Sequence, residues 1–164
     1  MAECSVTFES GGRQLVGFLQ EPISGRPRGT WLFCHPLFEE RKSAQRVLVE
    51  MGRALSRQGW VVLHFDYRGC GDSEGDFETF SIPDWRADIR MAAIWFEKRF
   101  PDLPRGILGL RLGAALAWAE AALFPSPFQR VVLWSPVTNG QAHLEAELRR
   151  KLMKEMLTFG AGRT

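Results

Sequence analysis

Residues 109–113 read Gly-Leu-Arg-Leu-Gly, inside the stretch PRGILGLRLGAALAWAEAALF that runs from Pro104 to Phe124. A short apolar run enters Leu110 and an alanine-rich, helix-forming run leaves Leu112, so a tight strand–turn–helix corner falls at Arg111. The apex of such a corner has strained backbone angles, and small residues two before and two after it let strand and helix pass closely. Gly109 and Gly113 stand at those two places. Taken alone, the five residues also fit a plainer account, in which Gly113 only eases helix–sheet packing and Arg111 is a solvated first-turn residue.

The rest of the chain supplies the context. CSVTFES (4–10) and RQLVGFLQEP (13–22) flank Gly11-Gly12 and predict a β-hairpin. TWLFCHP (30–36) is a short apolar strand. SAQRVLVEMGRALSRQG (43–59) has Val47, Met51 and Leu55 at helical spacing and ends at Gly59. WVVLHFDY (60–67) is nearly all apolar, as expected for a strand covered on both faces. The polar, glycine-rich loop RGCGDSEGDFETF (68–80) follows. Ser81 and Asp84 then predict a capping box, with Pro83 in the first turn of a helix reaching Phe100. RVVLWSP (130–136) is a further strand. HLEAELRRKLMKEMLTF (143–159) is an amphipathic helix with Leu144, Leu148, Leu152 and Met156 on one face.

A hairpin followed by alternating strands and helices predicts a single α/β domain over residues 1–164. It is three-layered, with a mostly parallel sheet joined by right-handed crossovers. Ligands of such sheets bind beyond the carboxyl ends of the strands. His35-Pro36-Leu37, Asp66 to Gly75, Leu110-Arg111-Leu112 and Ser135 all fall on that edge.

Bulk properties exclude several classes. The 164 residues are 45% hydrophobic and 24% charged with a net charge of +2, too little for a phosphate-binding surface, so no nucleic-acid partner is expected. The N-terminus lacks the apolar core of a signal peptide, and no apolar run approaches membrane-spanning length. Cys4, Cys34 and Cys70 form no C-x-x-C pair and read as reduced thiols of a cytoplasmic protein. GCGDSEG departs from G-x-G-x-x-G by a late third glycine, and no G-K-[ST] occurs. No cofactor and no metal are expected.

HPLFEE (35–40), FDYRGCGDSEGDF (65–77), GLRLGA (109–114) and LWSPVTNG (133–140) together resemble the α/β-hydrolase superfamily. Members carry an H-G-x oxyanion turn and a D-x-R-G-x-G-x-S loop at the first two places and a G-x-S-x-G elbow at the third. The resemblance runs in register from about Ser5 onward. The particular wording is similar to the exosortase A system-associated hydrolase 2 group of bacterial PEP-CTERM and exopolysaccharide loci. It implies the α/β-hydrolase fold, an N-terminal antiparallel hairpin, and a sheet that stops after the sixth of eight strands, with 143–158 as a lid or covering helix.

The resemblance also implies where chemistry would sit. The N–H groups of Leu37 and Leu112 correspond to the oxyanion donors, with His35 in the oxyanion turn and Pro36 in place of glycine. Arg111 occupies the nucleophile position and cannot replace serine, because its guanidinium stays protonated. The family's base follows the eighth strand, and His35, His64 and His143 each read as structural. Ser135 reads as a loop or capping serine. Cys34 and His35, adjacent in a strand, are expected on opposite faces and so do not pair.

Arg111 has two roles open to it. With the Leu37 N–H opposite and Arg68 nearby, it would bind an anionic ligand such as a carboxylate, phosphate or acidic sugar. Alternatively it folds onto Glu39, Glu40, Asp72 or Glu74 as an internal ion pair. The sixth strand would be an apolar sheet edge, covered by the last helix, by a second copy through self-association, or by further sequence. Two functional classes follow: an esterase-like hydrolase taking an acyl or ester-type ligand, and a non-catalytic relative that binds an anionic ligand or a protein partner.

Overall fold

Alternation of apolar side chains along the inner strands decides the layering. The computed structural model of the chain describes residues 1–124 and 128–160. Its strands are β1 (Ala2–Ser10), β2 (Arg13–Glu21), β3 (Gly29–Cys34), β4 (Trp60–Phe65), β5 (Arg105–Leu110) and β6 (Arg130–Trp134). Its helices are α1 (Glu39–Arg57), α2 (Ile82–Arg99), α3 (Leu112–Ala121) and α4 (Gly140–Gly160). The six strands form one sheet in the order β1-β2-β4-β3-β5-β6. The β1/β2 and β2/β4 pairs are antiparallel, and β4, β3, β5 and β6 run parallel.

Leu32, Cys34, Val61, Leu63, Phe65 and Ile107 join one cluster with Trp85, Ile89 and Ala92 of α2 and Leu116 and Ala117 of α3. Their sequence neighbours Trp31, Phe33, Val62 and Leu108 join a second cluster with Leu48, Met51 and Leu55 of α1. The period of two thus sends adjacent residues to opposite helical layers, giving a three-layer α/β/α arrangement. Each fully buried leucine or isoleucine contributes about 1.5–3 kcal/mol.

Local signals act where the residues place them. Gly11 and Gly12 both have positive φ, +55° and +71°, the pattern of a type I′ hairpin turn. The Ser81 N–H and hydroxyl both donate to the Asp84 carboxylate, at 2.9 and 2.7 Å, at the head of α2.

One expectation needs correction. Helix α1 begins at Glu39 instead of Ser43. Phe38 precedes it without a capping side chain, and Glu39 and Glu40 favour the first turn through the helix dipole. Leu144, Leu148, Leu152 and Met156 do share a face of α4, but they are 50–74% exposed. Val131, Val132 and Trp134 of the edge strand β6 are exposed too, so α4 does not bury this region. Among the described residues no helix is long and apolar enough to cross a membrane.

Candidate functional site

The elbow forms where β5 hands over to α3. Arg111 has φ +57° and ψ −120°, a combination that suits glycine and strains a residue with a Cβ. The corner is held by its own backbone. The Arg111 N–H donates to the Trp134 carbonyl at 3.0 Å, and its carbonyl accepts from Ala114 at 3.1 Å and Val137 at 3.2 Å. A Cβ on Gly109 would lie 2.4 Å from the Ala114 Cα. One on Gly113 would lie 2.3 and 2.4 Å from the His35 and Cys34 carbonyl oxygens. Gly109 and Gly113 are therefore required by close backbone approach, which the plain helix-packing account covers only for Gly113.

The Arg111 side chain folds inward. Its Nε–H donates to Glu40 Oε1 at 3.0 Å, and Nη1 donates to the Ser135 carbonyl at 3.2 Å and hydroxyl at 3.4 Å. Of the four carboxylates weighed for it, Glu40 is the partner. Glu39 lies 3.6 Å from Lys154, and Glu74 accepts from the Gln14 N–H. Phe38 (φ +59°) and Ser135 (φ +47°) join Arg111 as the non-glycine residues of positive φ among the described residues. All three follow the carboxyl ends of parallel strands. Strain of about 1–3 kcal/mol each is thus concentrated on one edge of the sheet.

Leu112 opens α3 just after the elbow, and Leu37 lies in the turn after β3, whose start at His35 lies against Gly113. Neither N–H has a protein acceptor among the described residues. His35 is buried, with Nδ1 2.9 Å from the Pro36 carbonyl and Nε2 2.6 Å from that of Phe65. Asp66 is 3.6 Å from the same Nε2 and also pairs with Arg41. Burial is the main influence on this imidazole and holds its pKa below the usual value. Both ring nitrogens face carbonyl oxygens, so neither is free to take a proton from a nucleophile.

Cys34 and His35 make no side-chain contact with each other among the described residues. The strand ends at Cys34, and the His35 ring turns back edge-on to Tyr67 at 4.8 Å, where the Tyr67 hydroxyl also meets Cys34. Burial raises the pKa of both Cys34 and Cys70, the latter to about 11, which leaves them poor nucleophiles. His64 lies beneath α1, 3.1 Å from Gln20 Oε1 and edge-on to Phe33, and burial lowers its pKa to about 4. A cavity of about 320 Å³ lies between α1 and the β2/β4 side of the sheet, lined by His35, Arg41, Leu48, His64 and Asp66. Arg111 is not part of it.

Arg68 does not reach the elbow. Its Nε donates to Asp88 Oδ1 at 2.8 Å and Nη2 to the Ser10 hydroxyl at 2.7 Å, and its backbone N–H donates to Asp88 Oδ2 at 2.9 Å. The fully buried Asp88 captures the guanidinium from α2, so this arginine ties the 68–80 loop to the helix and the hairpin. A different residue arrives instead: His143 of α4, whose ring is 6.2 Å from that of Phe38. Glu40, His143 and Glu147 each bring one potential ligand atom within 4.8 Å of the others. The four-residue spacing of His143 and Glu147 was the available sequence signal, but nothing in it points to Glu40.

The chain is similar to several known proteins. The family model described as serine aminopeptidase S33 matches residues 25–161. A monoacylglycerol lipase of Mycolicibacterium smegmatis is 30% identical over 135 residues, covering 79% of this chain and 45% of the relative. Human monoglyceride lipase is 33% identical over 91 residues, covering 54% of this chain and 29% of the relative. The chain therefore spans less than half the length of these curated relatives. Among solved structures, XC6422 of Xanthomonas campestris, an α/β serine hydrolase without a lid, superposes with a TM-score of 0.65 at 25% identity over 74% of this chain and 56% of its own. Est1E of Butyrivibrio proteoclasticus, solved with ferulic acid bound, superposes with a TM-score of 0.72 at 20% identity over 80% and 52%. With its hairpin, three layers and elbow in place, the chain belongs to the serine aminopeptidase S33 family of α/β hydrolases.

Proposed function

We propose that this chain keeps the hydrolase elbow as a binding device and does not perform serine hydrolysis there. The observation that carries this reading is Arg111 at the strained apex, with its guanidinium tied to Glu40 and Ser135. A guanidinium neither attacks a carbonyl nor exchanges a proton near neutral pH. The Arg111 side chain is 37% exposed, and its Nη2 has no protein acceptor among the described residues. With the Leu37 and Leu112 N–H groups, it suits a carboxylate, a phosphate or the polarised carbonyl of an acyl ester. The first turn of α4, beside Phe38, supports a lid role for residues 143–158.

The wording of the four loops supports a place in a bacterial exosortase or exopolysaccharide system, in the cytoplasm. The exposed edge of β6 supports self-association through that strand, which sizing of the purified chain reads directly. A second reading, ester hydrolysis, is favoured by the lipase names of the relatives.

One pair of measurements separates the two. The binding reading expects no turnover of p-nitrophenyl butyrate above buffer. It also expects a rise in melting temperature with phosphate or acetate that the Arg111→Ala variant lacks. Turnover by the parent protein, or an anion effect that survives the substitution, overturns it.

A further inference from the structure

We propose that Glu40, His143 and Glu147 form a binding site for a divalent transition-metal cation of the zinc type, at the junction of α1 and α4. The proposal does not depend on what occupies the elbow. His143 and Glu147 are one helical turn apart on α4 and so project on the same face, while Glu40 comes from the first turn of α1. One nitrogen or oxygen from each lies within 4.8 Å of the others. Zinc bonds to such atoms are about 2.0–2.2 Å long, so modest side-chain rotation closes the set around an ion.

Two unpartnered atoms suit a shared cation. Glu40 Oε2 and His143 Nε2 are both buried with no hydrogen-bond partner among the described residues. Buried polar atoms are rarely left alone, and here one lone-pair atom is orphaned on each of two clustered side chains from distant parts of the chain. A cation satisfies both at once, whereas a single proton shared between them needs a hydrogen-bond contact that they do not make.

The surroundings hold the ligands in place. Arg111 grips Glu40 by its other oxygen, the Phe38 ring lies against His143, and Arg150 pairs with Oε1 of the 93%-buried Glu147. Outer partners of this kind orient metal ligands. One imidazole with two carboxylates suits zinc or manganese better than a soft monovalent or a hard alkaline-earth ion. Three protein ligands leave a further position open next to the guanidinium.

The test uses the metal-stripped full chain titrated with Zn²⁺ and followed by melting temperature and calorimetry, with Co²⁺ absorption as a spectroscopic check. The expected result is a saturable rise in melting temperature and visible Co²⁺ bands, retained in Cys4→Ala. Affinity should fall about tenfold or more in His143→Gln and Glu147→Gln. His143→Gln decides the matter if Glu147→Gln does not fold by circular dichroism. Absence of Zn²⁺ binding by the parent, binding unchanged in His143→Gln, or binding abolished by Cys4→Ala overturns the proposal.

Discussion

Arg111 Nε donates to Glu40 Oε1 at 3.0 Å, joining the apex of the elbow after β5 to the first turn of α1 after the neighbouring strand β3. Both side chains keep some contact with water, 37% and 19% exposed, so the pair itself adds little stability. Its effect is positional: it points the guanidinium along the edge toward Ser135.

Replacing Arg111 separates backbone strain from the ion pair. Arg111→Ala and Arg111→Gly both lose Glu40, but only glycine relaxes at φ +57°, ψ −120°. The glycine variant is expected to be more stable than the alanine variant by about 1 kcal/mol, after its greater unfolded-state entropy is offset. Urea denaturation of the two proteins measures this, and equal midpoints would contradict a strained apex.

A single methyl group at Gly113 should be far costlier. Its Cβ would press on two backbone carbonyls at the end of β3, atoms that move only with the sheet. Gly113→Ala is expected to lose roughly 3 kcal/mol or more. Gly140→Ala, where nothing lies within 4 Å, should change stability by less than about 0.5 kcal/mol. Thermal melts of the pair make the comparison.

Acid should weaken the fold before the carboxylates titrate. His64 is held neutral by burial, with a pKa of about 4 against an ordinary value of 6.5. Between these values the unfolded chain binds a proton that the native one refuses, so stability falls as pH drops and levels off below the folded pKa. His35, also lowered by burial, acts in the same direction. The His64 contribution is on the order of 3 kcal/mol between pH 6.5 and 4. His64→Gln should flatten the pH dependence of the urea midpoint in that window, and an unchanged slope would contradict it.

Thiol labelling should find one reactive cysteine. Cys4 is exposed, while Cys34 and Cys70 are buried. Ellman's reagent at pH 8 is expected to titrate one thiol rapidly in the native protein and three in denaturant. Rapid labelling of two would show that the 68–80 loop opens readily.

How far the chain could be read from its letters varied with the range of the interaction. Strand β4 was legible because WVVLHF carries its burial in its own composition, and the elbow because a strand–turn–helix corner needs small residues on both sides of its apex, although Gly113 answers to the distant carbonyls of Cys34 and His35. Arg68 was misplaced because its partner Asp88 lies on a helix whose angle to the loop no local pattern states. The start of α1 was missed because Phe38, a residue without a capping side chain, stands at the N-cap. The stripe Leu144, Leu148, Leu152 and Met156 was correctly assigned to one helix face, but periodicity names a face without naming what covers it. Glu40 meeting His143 and Glu147 was illegible for the same reason.

That uncovered helix has a consequence for how the molecule comes apart. Among the described residues, α4 meets the body through His143 and Glu147 in its first two turns, against Phe38 and Glu40, and through the ion pair of Lys154 with Glu39. The sheet and its three packed helices are therefore expected to unfold as one unit, with the far half of α4 exchanging its amides on the terms of an isolated peptide. Heating would release the tail first and leave the elbow folded behind it.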